Sequence, residues 1–528
     1  MNLDEFLYNL HFDTDKVRPL DFEVDWDDAP LPFKLYRGLP VIPFSPEIPL
    51  TLVRREEDTA NPDLREIGHF LWYVFGLTQF SLSVPDFDST DSAFGPMQSY
   101  RRFVPSGGAL YPNELYAYLK IEDVPAGIYH YDVAHHRLVL LRRGNFDSYI
   151  ARALGDRCDI SSCFGTVFVS TMFWKNFFKY NNFSYRLQGL DAGVLIGQLL
   201  ETTKRFGYES GVYFQFLDRV VNHLLGLSQQ EESVYAIIPL SIQAGITWFG
   251  KRNDSDGIDT ATELCQELPA IQHDHYVRSQ RVMAYPLVVK MNEASQLDSQ
   301  RSFRKSEGET ADLPCGGHTV ALPNVKRLSY DLAAVCRNRF SPGSHFVLDK
   351  VSQTQLATLL QEVTASFAYR NDLDEEEGSP RSRVSLYCCL YHVEGIAAGA
   401  YYYDSVAHVL RLVRPGDHRS WLQKGMYMDN VNLFQVPLCF HVAGAHDHLI
   451  PALGYRGYRI QQMEAGMLVQ RLLLTAFAIG MGGHALLGFD SNVSDEIYKM
   501  APLGKTSLIQ IPVGPYRCSP RLEGGMHG

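Results

Sequence analysis

Phe178-Lys179-Tyr180-Asn181-Asn182-Phe183-Ser184-Tyr185-Arg186 runs directly into Leu190-Asp191-Ala192-Gly193. The second part belongs to a long apolar helix. Leu187, Leu190, Val194, Leu199 and Phe206 recur at helical spacing, and Gly207 is a natural stop. Such a helix belongs in a core. The first part reads as a polar, aromatic loop feeding that helix. It gathers a lysine, two tyrosines and an arginine, residue types that move protons and grip anions.

The same pattern returns once. Tyr185-Arg186 and Asp191-Ala192-Gly193 match Tyr458-Arg459 and Glu464-Ala465-Gly466 at an offset of 273. Gly207 matches Gly480, and Ile238-Pro239 matches Ile511-Pro512, at the same offset. Upstream, Tyr131-Asp132-Val133-Ala134-His135-His136 resembles Tyr403-Asp404-Ser405-Val406-Ala407-His408, now offset by 272. A near-constant offset over about 110 residues makes the chain two copies of one domain of roughly 200 residues. The copies differ where chemistry would sit. Lys179-Tyr180 becomes Ala452-Leu453, and a glycine loop in copy one falls near Glu377-Gly378-Ser379-Pro380-Arg381 in copy two, inside an acidic run. Cys336-Arg337-Asn338-Arg339-Phe340-Ser341 has no clear partner in copy one. Each copy keeps a different half of a site, as expected when an ancestral homodimer is fused and one of its two composite sites decays.

Bulk properties narrow the class. The chain has 528 residues, 45% hydrophobic and 20% charged, which is ordinary globular composition. Its 48 basic and 60 acidic residues leave a net charge of −12, which argues against a general nucleic-acid or anionic-membrane surface. No apolar run approaches the roughly 20 residues needed to span a bilayer. The acidic start Met1-Asn2-Leu3-Asp4-Glu5 lacks a signal-peptide pattern, and nine scattered cysteines without a CxxC pair read as reduced thiols. These features predict a cytoplasmic protein. His273-Asp274-His275 and His446-Asp447-His448 have metal-capable residue types but no supporting ligand pattern, so they read as polar loops and no metal is expected.

In chain order, residues 1–60 form a Pro- and aromatic-rich N-terminal arm packed on something, and 61–250 make the first domain. Its expected elements are a helix over 62–77, a loop over 80–100, strands within 115–143, a strand over 164–173, and strand-like segments at 211–216 and 234–240. Residues 251–325 read as a linker, poor in periodic runs, and 326–528 as the second domain. Between the loop and the first strand lies Arg101-Arg102-Phe103-Val104-Pro105-Ser106-Gly107-Gly108-Ala109-Leu110-Tyr111-Pro112. Two glycines after a serine let the backbone approach a ligand and offer free amides, so this is a ligand-facing loop.

RxxPSGGALYP from Arg102, the later Tyr-x-Tyr-Asp, and Lys-Tyr before Tyr-Arg and Asp-Ala-Gly together resemble the SagB/ThcOx/McbC type of azoline dehydrogenase, in the FMN-dependent nitroreductase superfamily. The likeness covers residues 60–245 well and 330–518 more loosely. It implies an α+β nitroreductase-like fold, a mixed central sheet flanked by helices, here duplicated as an intramolecular pseudo-dimer with FMN at the interface. By resemblance, Arg101, Arg102, Pro105, Ser106, Gly107 and Gly108 lie along the flavin, with the contacting arginine left open. Arg337 and Arg339 resemble a motif that holds the FMN phosphate, although the usual serine of that motif is out of place. Leu487-Gly488-Phe489 resembles the segment whose backbone meets the flavin ring. Arg517 and Arg521 either reach the phosphate or are solvated tail charges.

The resemblance implies a dehydrogenase or oxidase that converts thiazoline or oxazoline rings to azoles in a peptide natural-product pathway. A proton leaves one ring carbon and a hydride leaves its neighbour. Lys179 is the candidate base and Tyr180 orients or relays. The implied partners are a peptide-derived substrate and a cyclodehydratase, with oxygen as reoxidant. Two rivals stand beside it: an NAD(P)H-dependent nitro- or quinone reductase, and a non-catalytic scaffold subunit of a peptide-modifying complex.

Overall fold

The computed structural model describes residues 1–19, 21–53, 61–83, 97–246, 248–250, 260–306, 318–374, 381–518 and 522–525. Two seven-stranded sheets form its frame, and their strand orders correspond one to one. In the first, Val41–Pro43 lies at one edge, followed by Arg137–Arg143, Gly127–Asp132, Asn113–Leu119, Gly165–Met172, Glu232–Ser241 and Glu209–Ser210. In the second the order is Thr319–Ala321, Val409–Pro415, Gly399–Asp404, Val384–Leu390, Leu438–Ala445, Lys505–Gly514 and Gly482–Gly483. The ladders in both are antiparallel, and a parallel bridge from Val212 to Asn371 links the copies. Gly165–Met172 and Leu438–Ala445, like Glu232–Ser241 and Lys505–Gly514, are 273 apart, so the offset read from the sequence is also the structural one. The bridge Tyr213–Ile237 repeats as Leu486–Gln510 at the same shift.

Each sheet carries one long helix, Ser184–Phe206 and Tyr455–Ala478, and the two helices pack against each other at the centre. Their motif glycines make this possible. A Cβ on Gly193 would lie 2.0 Å from the Met463 carbonyl oxygen, and one on Gly466 would lie 2.2 Å from that of Leu190. Only a residue without a side chain permits that backbone approach. The Asp-Ala-Gly and Glu-Ala-Gly motifs are therefore packing signatures. Tyr185 and Tyr458 stack across the same contact, with ring centroids 5.8 Å apart and planes within 17°. Arg186 donates to the carbonyls of Leu10 and Leu508, and Arg459 reaches Asp218, so each motif arginine crosses into the other copy or the arm. Tyr185 and Arg186 were read above as candidates for proton or anion chemistry. Both are buried in the joint between copies, where Tyr185 meets Ser295 and Arg186 satisfies carbonyls of the arm helix and of an interior strand of the second sheet.

Local structure follows the sequence in most places. The helix expected over 62–77 is Leu64–Phe75, capped by Asp63 and ended at Gly76. Gly207 ends the long helix with φ 74, the left-handed conformation that glycine adopts without steric cost. The loop expected over 178–186 is instead a short helix, Trp174–Tyr180, followed by a 3₁₀ turn over Asn181–Phe183; aromatic burial on one side supports that turn. Residues 80–100 were read as a loop, but Leu77–Ser83 and Met97–Arg102 pair as strands and Leu522–Gly525 adds a third. Their polar, alternating side chains reflect a sheet with exposed faces, which carries a weak apolar signal. Residues 211–216 form bridges only, not a continuous strand. Within 260–306, the helices Ala261–Glu267 and Pro286–Ala294 each bury a narrow stripe, including Leu264, Val288 and Met291. The arm packs as expected: Lys34 is buried in an ion pair with Glu232 at 2.6 Å, and helix Leu3–Phe12 covers Tyr458 through His11. No helix among the described residues is long and apolar enough to cross a membrane.

The helix crossing yields a graded expectation. Gly193→Ala and Gly466→Ala place a methyl on backbone and should each cost more than about 4 kcal/mol or abolish folding. Gly197→Ala, whose Cβ would meet Gln470 Cβ and Met467 at 3.2 Å, should cost far less or be neutral. Urea midpoints of the three variants measure the series, and equal losses at all three positions would contradict it.

Candidate functional site

One cavity of about 420 Å³ is walled by both copies. Copy one contributes the loop Pro105–Gly108, the pair Lys179 and Tyr180, and Asp191 from the long helix. Copy two contributes Ser341, His484 and the segment Leu486–Gly488. Thus Pro105, Ser106, Gly107, Gly108, Lys179, Tyr180, Leu487 and Gly488, widely separated in sequence, come together in one place.

The glycine loop is held in an unusual shape. Gly108 has φ 64, and Ala109 and Tyr111 also adopt left-handed conformations at φ 56 and 49. Such positions cost free energy and persist only where the surroundings enforce them. Asp191 does this. Ser106 Oγ donates to Asp191 Oδ2 at 2.6 Å, Gly107 N–H donates to Oδ1 at 3.1 Å, and Ser106 Oγ accepts the Tyr111 N–H at 3.0 Å. Burial pushes the Asp191 carboxyl up to about 6, against the lowering effect of those two hydrogen bonds. Asp191 was visible as part of a helix motif but was not singled out as a site residue. The available signal was a carboxylate among Leu187, Leu190 and Val194 on the apolar stripe of that helix.

Lys179 and Tyr180 close over the loop. A Cβ on Gly108 would meet the Tyr180 hydroxyl at 2.5 Å and Lys179 Nζ at 2.9 Å, so any side chain there would displace this pair, and its φ of 64 favours glycine as well. Burial lowers the Lys179 pKa, helped by the neighbouring Arg18. Burial raises that of Tyr180, with Asp191 adding to it. The pair therefore combines an amine biased toward its neutral form with a hydroxyl that keeps its proton.

The arginines divide. Arg102 is 1% exposed and lies 4.1 Å from the Phe75 ring centroid and 4.7 Å from that of Tyr111. It braces the loop from behind and does not line the cavity. Arg101 donates to the Arg339 carbonyl, which joins the two copies. Arg339 is buried, its Nε has no hydrogen-bond partner among the described residues, and its Nη1 reaches Ser341 Oγ at 3.3 Å. Burial and then Arg101 push Arg339 down to about 10. Burial and the charge of Arg339 push His484 down to about 4. Two guanidiniums held together beside a cavity suit an anion. Arg337 instead turns to the Leu50 carbonyl at 3.0 Å. Arg517 donates its amide to His345, and Arg521 lies outside the described residues.

The pseudo-symmetric position has been rebuilt. Val194 and Leu473 wall the first cavity, and their counterparts Met467 and Leu200 wall a second of about 660 Å³. That cavity is crossed by ion pairs from Arg471 to Glu201 at 2.7 Å and to Glu362 at 2.6 Å. Glu464, the counterpart of Asp191, is tied to Arg383 at 2.8 Å and Tyr369 at 2.7 Å. Val212–Phe214, counterpart of Ala485–Leu487, is closed off by the chain itself. Val212 N–H donates to the Arg370 carbonyl at 2.9 Å, and Asp372 accepts the amides of Phe214 and Gln215 at 2.9 and 3.0 Å. The expected counterpart of the glycine loop, 377–380, lies outside the described residues.

Asp191 sets a pH dependence. Its pKa is raised in the folded chain, so between about pH 4 and 6 the native state keeps a proton that the unfolded state has released. Stability from this group is fully present below the unfolded value and is lost as pH rises through about 6. Denaturant midpoints of the wild type and Asp191→Asn, measured from pH 4 to 7.5, should diverge across that window, with the wild type falling relative to the variant. Parallel curves would remove Asp191 from this role.

No protein-family model matches the chain. The trifolitoxin-processing protein TfxB of Rhizobium leguminosarum bv. trifolii is 30% identical over 153 residues, 27% of this chain and 40% of that protein. The chain therefore matches less than half the length of this relative. A solved structure of a candidate nitroreductase from Anabaena variabilis is 19% identical and superposes with a TM-score of 0.73, covering 98% of this chain and 99% of the other. The Escherichia coli microcin synthetase McbBCD complex with truncated pro-MccB17 bound is 22% identical over 35% of this chain and 69% of that one, with a TM-score of 0.28. The resemblance to the nitroreductase superfamily is thus borne out at the level of the fold, which this polypeptide carries as two copies joined through their long helices.

Proposed function

We propose that the chain is an FMN-dependent dehydrogenase or oxidase that converts azoline rings to azoles in a peptide substrate, in the manner of the SagB/McbC type. The carrying observation is that Lys179 and Tyr180 stand directly on the Gly107-Gly108 loop inside a cavity completed by Leu487 and Gly488 from the other copy. The partial similarity to a toxin-processing protein supports a peptide substrate, and with it a cyclodehydratase as supplier of the ring.

The residues suit a flavin mononucleotide. They fit on two counts: the backbone of Ser106, Gly107 and Gly108 faces the cavity without bulky side chains of its own, and buried Arg339 has a guanidinium N–H with no acceptor among the described residues. Arg101 and Arg339 would hold the phosphate, Ser106–Gly108 would lie along the ring, and the Leu487-Gly488 backbone would meet it. Bound there, FMN would supply a two-electron acceptor. The chain supplies placement and proton handling. Lys179 Nζ, pushed toward its neutral form, takes the ring proton; the protonated Tyr180 hydroxyl orients the substrate or passes that proton on. The walls Phe183, Leu187 and Leu190 make the inner side of the cavity apolar, which favours the neutral amine of half-buried Lys179.

Lys179→Ala should still fold and bind FMN, while anaerobic single-turnover flavin reduction by an azoline peptide slows by roughly 10²- to 10⁴-fold. Tyr180→Phe keeps the ring and separates packing from proton handling. Unchanged reduction in Lys179→Ala would overturn the assignment. Denatured protein should release one FMN per chain, because the second position is closed by Asp372 and Arg383. A measured two per chain would contradict this, and a colourless protein that stays apo with added FMN would favour a scaffold.

A further inference from the structure

The cavity has a mouth that neither copy builds alone. Arg18, from the N-terminal arm, lines it on one side, and Met428 and Asn430 line it on the other. Around it stand large apolar side chains left in solvent. Trp26 is 46% exposed, Tyr427 48% and Met428 60%. Trp26 is held in place, with its ring 5.6 Å from that of Phe178 in a T-shaped contact and its face 5.1 Å from Lys179 Nζ. A cluster of this kind beside a cavity marks an interaction surface more than chance exposure does. Its outer rim carries both signs, since Asp15 and Asp490 act on Tyr427 and exposed Asp429 lies between Met428 and Asn430, so the charge that matters is that of the lining. The Arg18 side chain has no hydrogen-bond or ion-pair partner among the described residues, and its field reaches both Lys179 and Tyr180. Asp191, the carboxylate in the lining, is already engaged by Ser106 and Gly107. Within the lining, the cations Arg18 and Lys179 therefore face a single carboxylate that is already engaged.

We infer that this mouth selects an acidic peptide: Arg18 receives a carboxylate of a residue flanking the reacting ring, while Trp26 and Met428 grip the adjacent apolar segment. Arg18 thereby sets substrate specificity from the arm. The inference rests on the peptide-substrate reading above, but binding can be measured without turnover, so the two fail separately.

The probes are fluorescein-labelled ten-residue thiazoline peptides, identical except that an Asp or an Asn is scanned through the positions flanking the ring. Fluorescence anisotropy with FMN-loaded protein at low ionic strength should show, at one or two positions, about three- to fivefold tighter binding of the Asp peptide, the scale of a solvent-accessible ion pair. High salt and Arg18→Ala should erase that preference, and Arg18→Glu should invert it. Trp26→Leu and Met428→Ser should weaken the Asp and Asn peptides equally. A charge preference without any flavin reduction would support this mouth and overturn the proposed chemistry. No binding, no preference at any position, or a preference that survives Arg18→Ala would overturn the inference.

Discussion

Two helix backbones in contact at Gly193 and Gly466 hold this molecule together. Wherever helices cross with carbonyl oxygens about 2 Å from the place of a missing Cβ, the crossing angle and depth have little freedom. That contact fixes one sheet against the other, and the composite cavity lies beside it, with Val194 on one helix and Val469 and Leu473 on the other as walls. The stacked Tyr185–Tyr458 pair and the crossed arginines Arg186 and Arg459 extend the same joint. A fused pair of copies that shares so much buried backbone and so many buried cations cannot open as two free domains without exposing unpaired charge.

Within that symmetric frame, one position shows how the halves diverged. Asp191 and Glu464 occupy the same place on the two helices. In copy one the shorter carboxylate forms no ion pair among the described residues; it accepts from a serine hydroxyl and a glycine amide, and so clamps a strained loop with an open face. In copy two the longer carboxylate meets Arg383 and Tyr369, and Asp372 covers the amides of Phe214 and Gln215. Buried amides must be satisfied by some acceptor. A chain that supplies its own acceptor there has no need of a ligand, whereas the guanidinium of Arg339 keeps an N–H unmatched among the described residues.

Much of this was legible in the sequence, for identifiable reasons. The duplication was legible because core helix motifs must repeat at a fixed spacing for two copies to pack about one joint. Lys179 and Tyr180 were legible because their counterparts Ala452 and Leu453 show that the fold tolerates their loss. What Tyr185 and Arg186 do was not legible, since burial of a polar side chain against a distant segment leaves no local pattern. The division between Arg101 and Arg102 was equally hidden: adjacent strand residues point to opposite faces, and only the three-dimensional surroundings show which face is an aromatic cage and which meets Arg339 of the other copy. Strands Leu77–Ser83 and Met97–Arg102 were missed because their faces are largely polar.

The arm explains why the two surviving half-sites are not interchangeable. Helix Leu3–Phe12 seats His11 against Tyr458 and Tyr455 against Asp4, both in copy two, whereas Lys34 is buried with Glu232 in copy one. A segment anchored at both ends to different halves must pass over the joint between them, and it passes the cavity at Arg18 and Trp26. The burial of Lys34 against Glu232 cannot be released cheaply, because each would be left as an uncompensated interior charge. The arm is therefore a fixed wall of the site. Its course brings Arg18 and Trp26 to the cavity that carries Lys179 and Tyr180, whereas the rebuilt counterpart, walled by Met467 and Leu200, meets the arm at Val53.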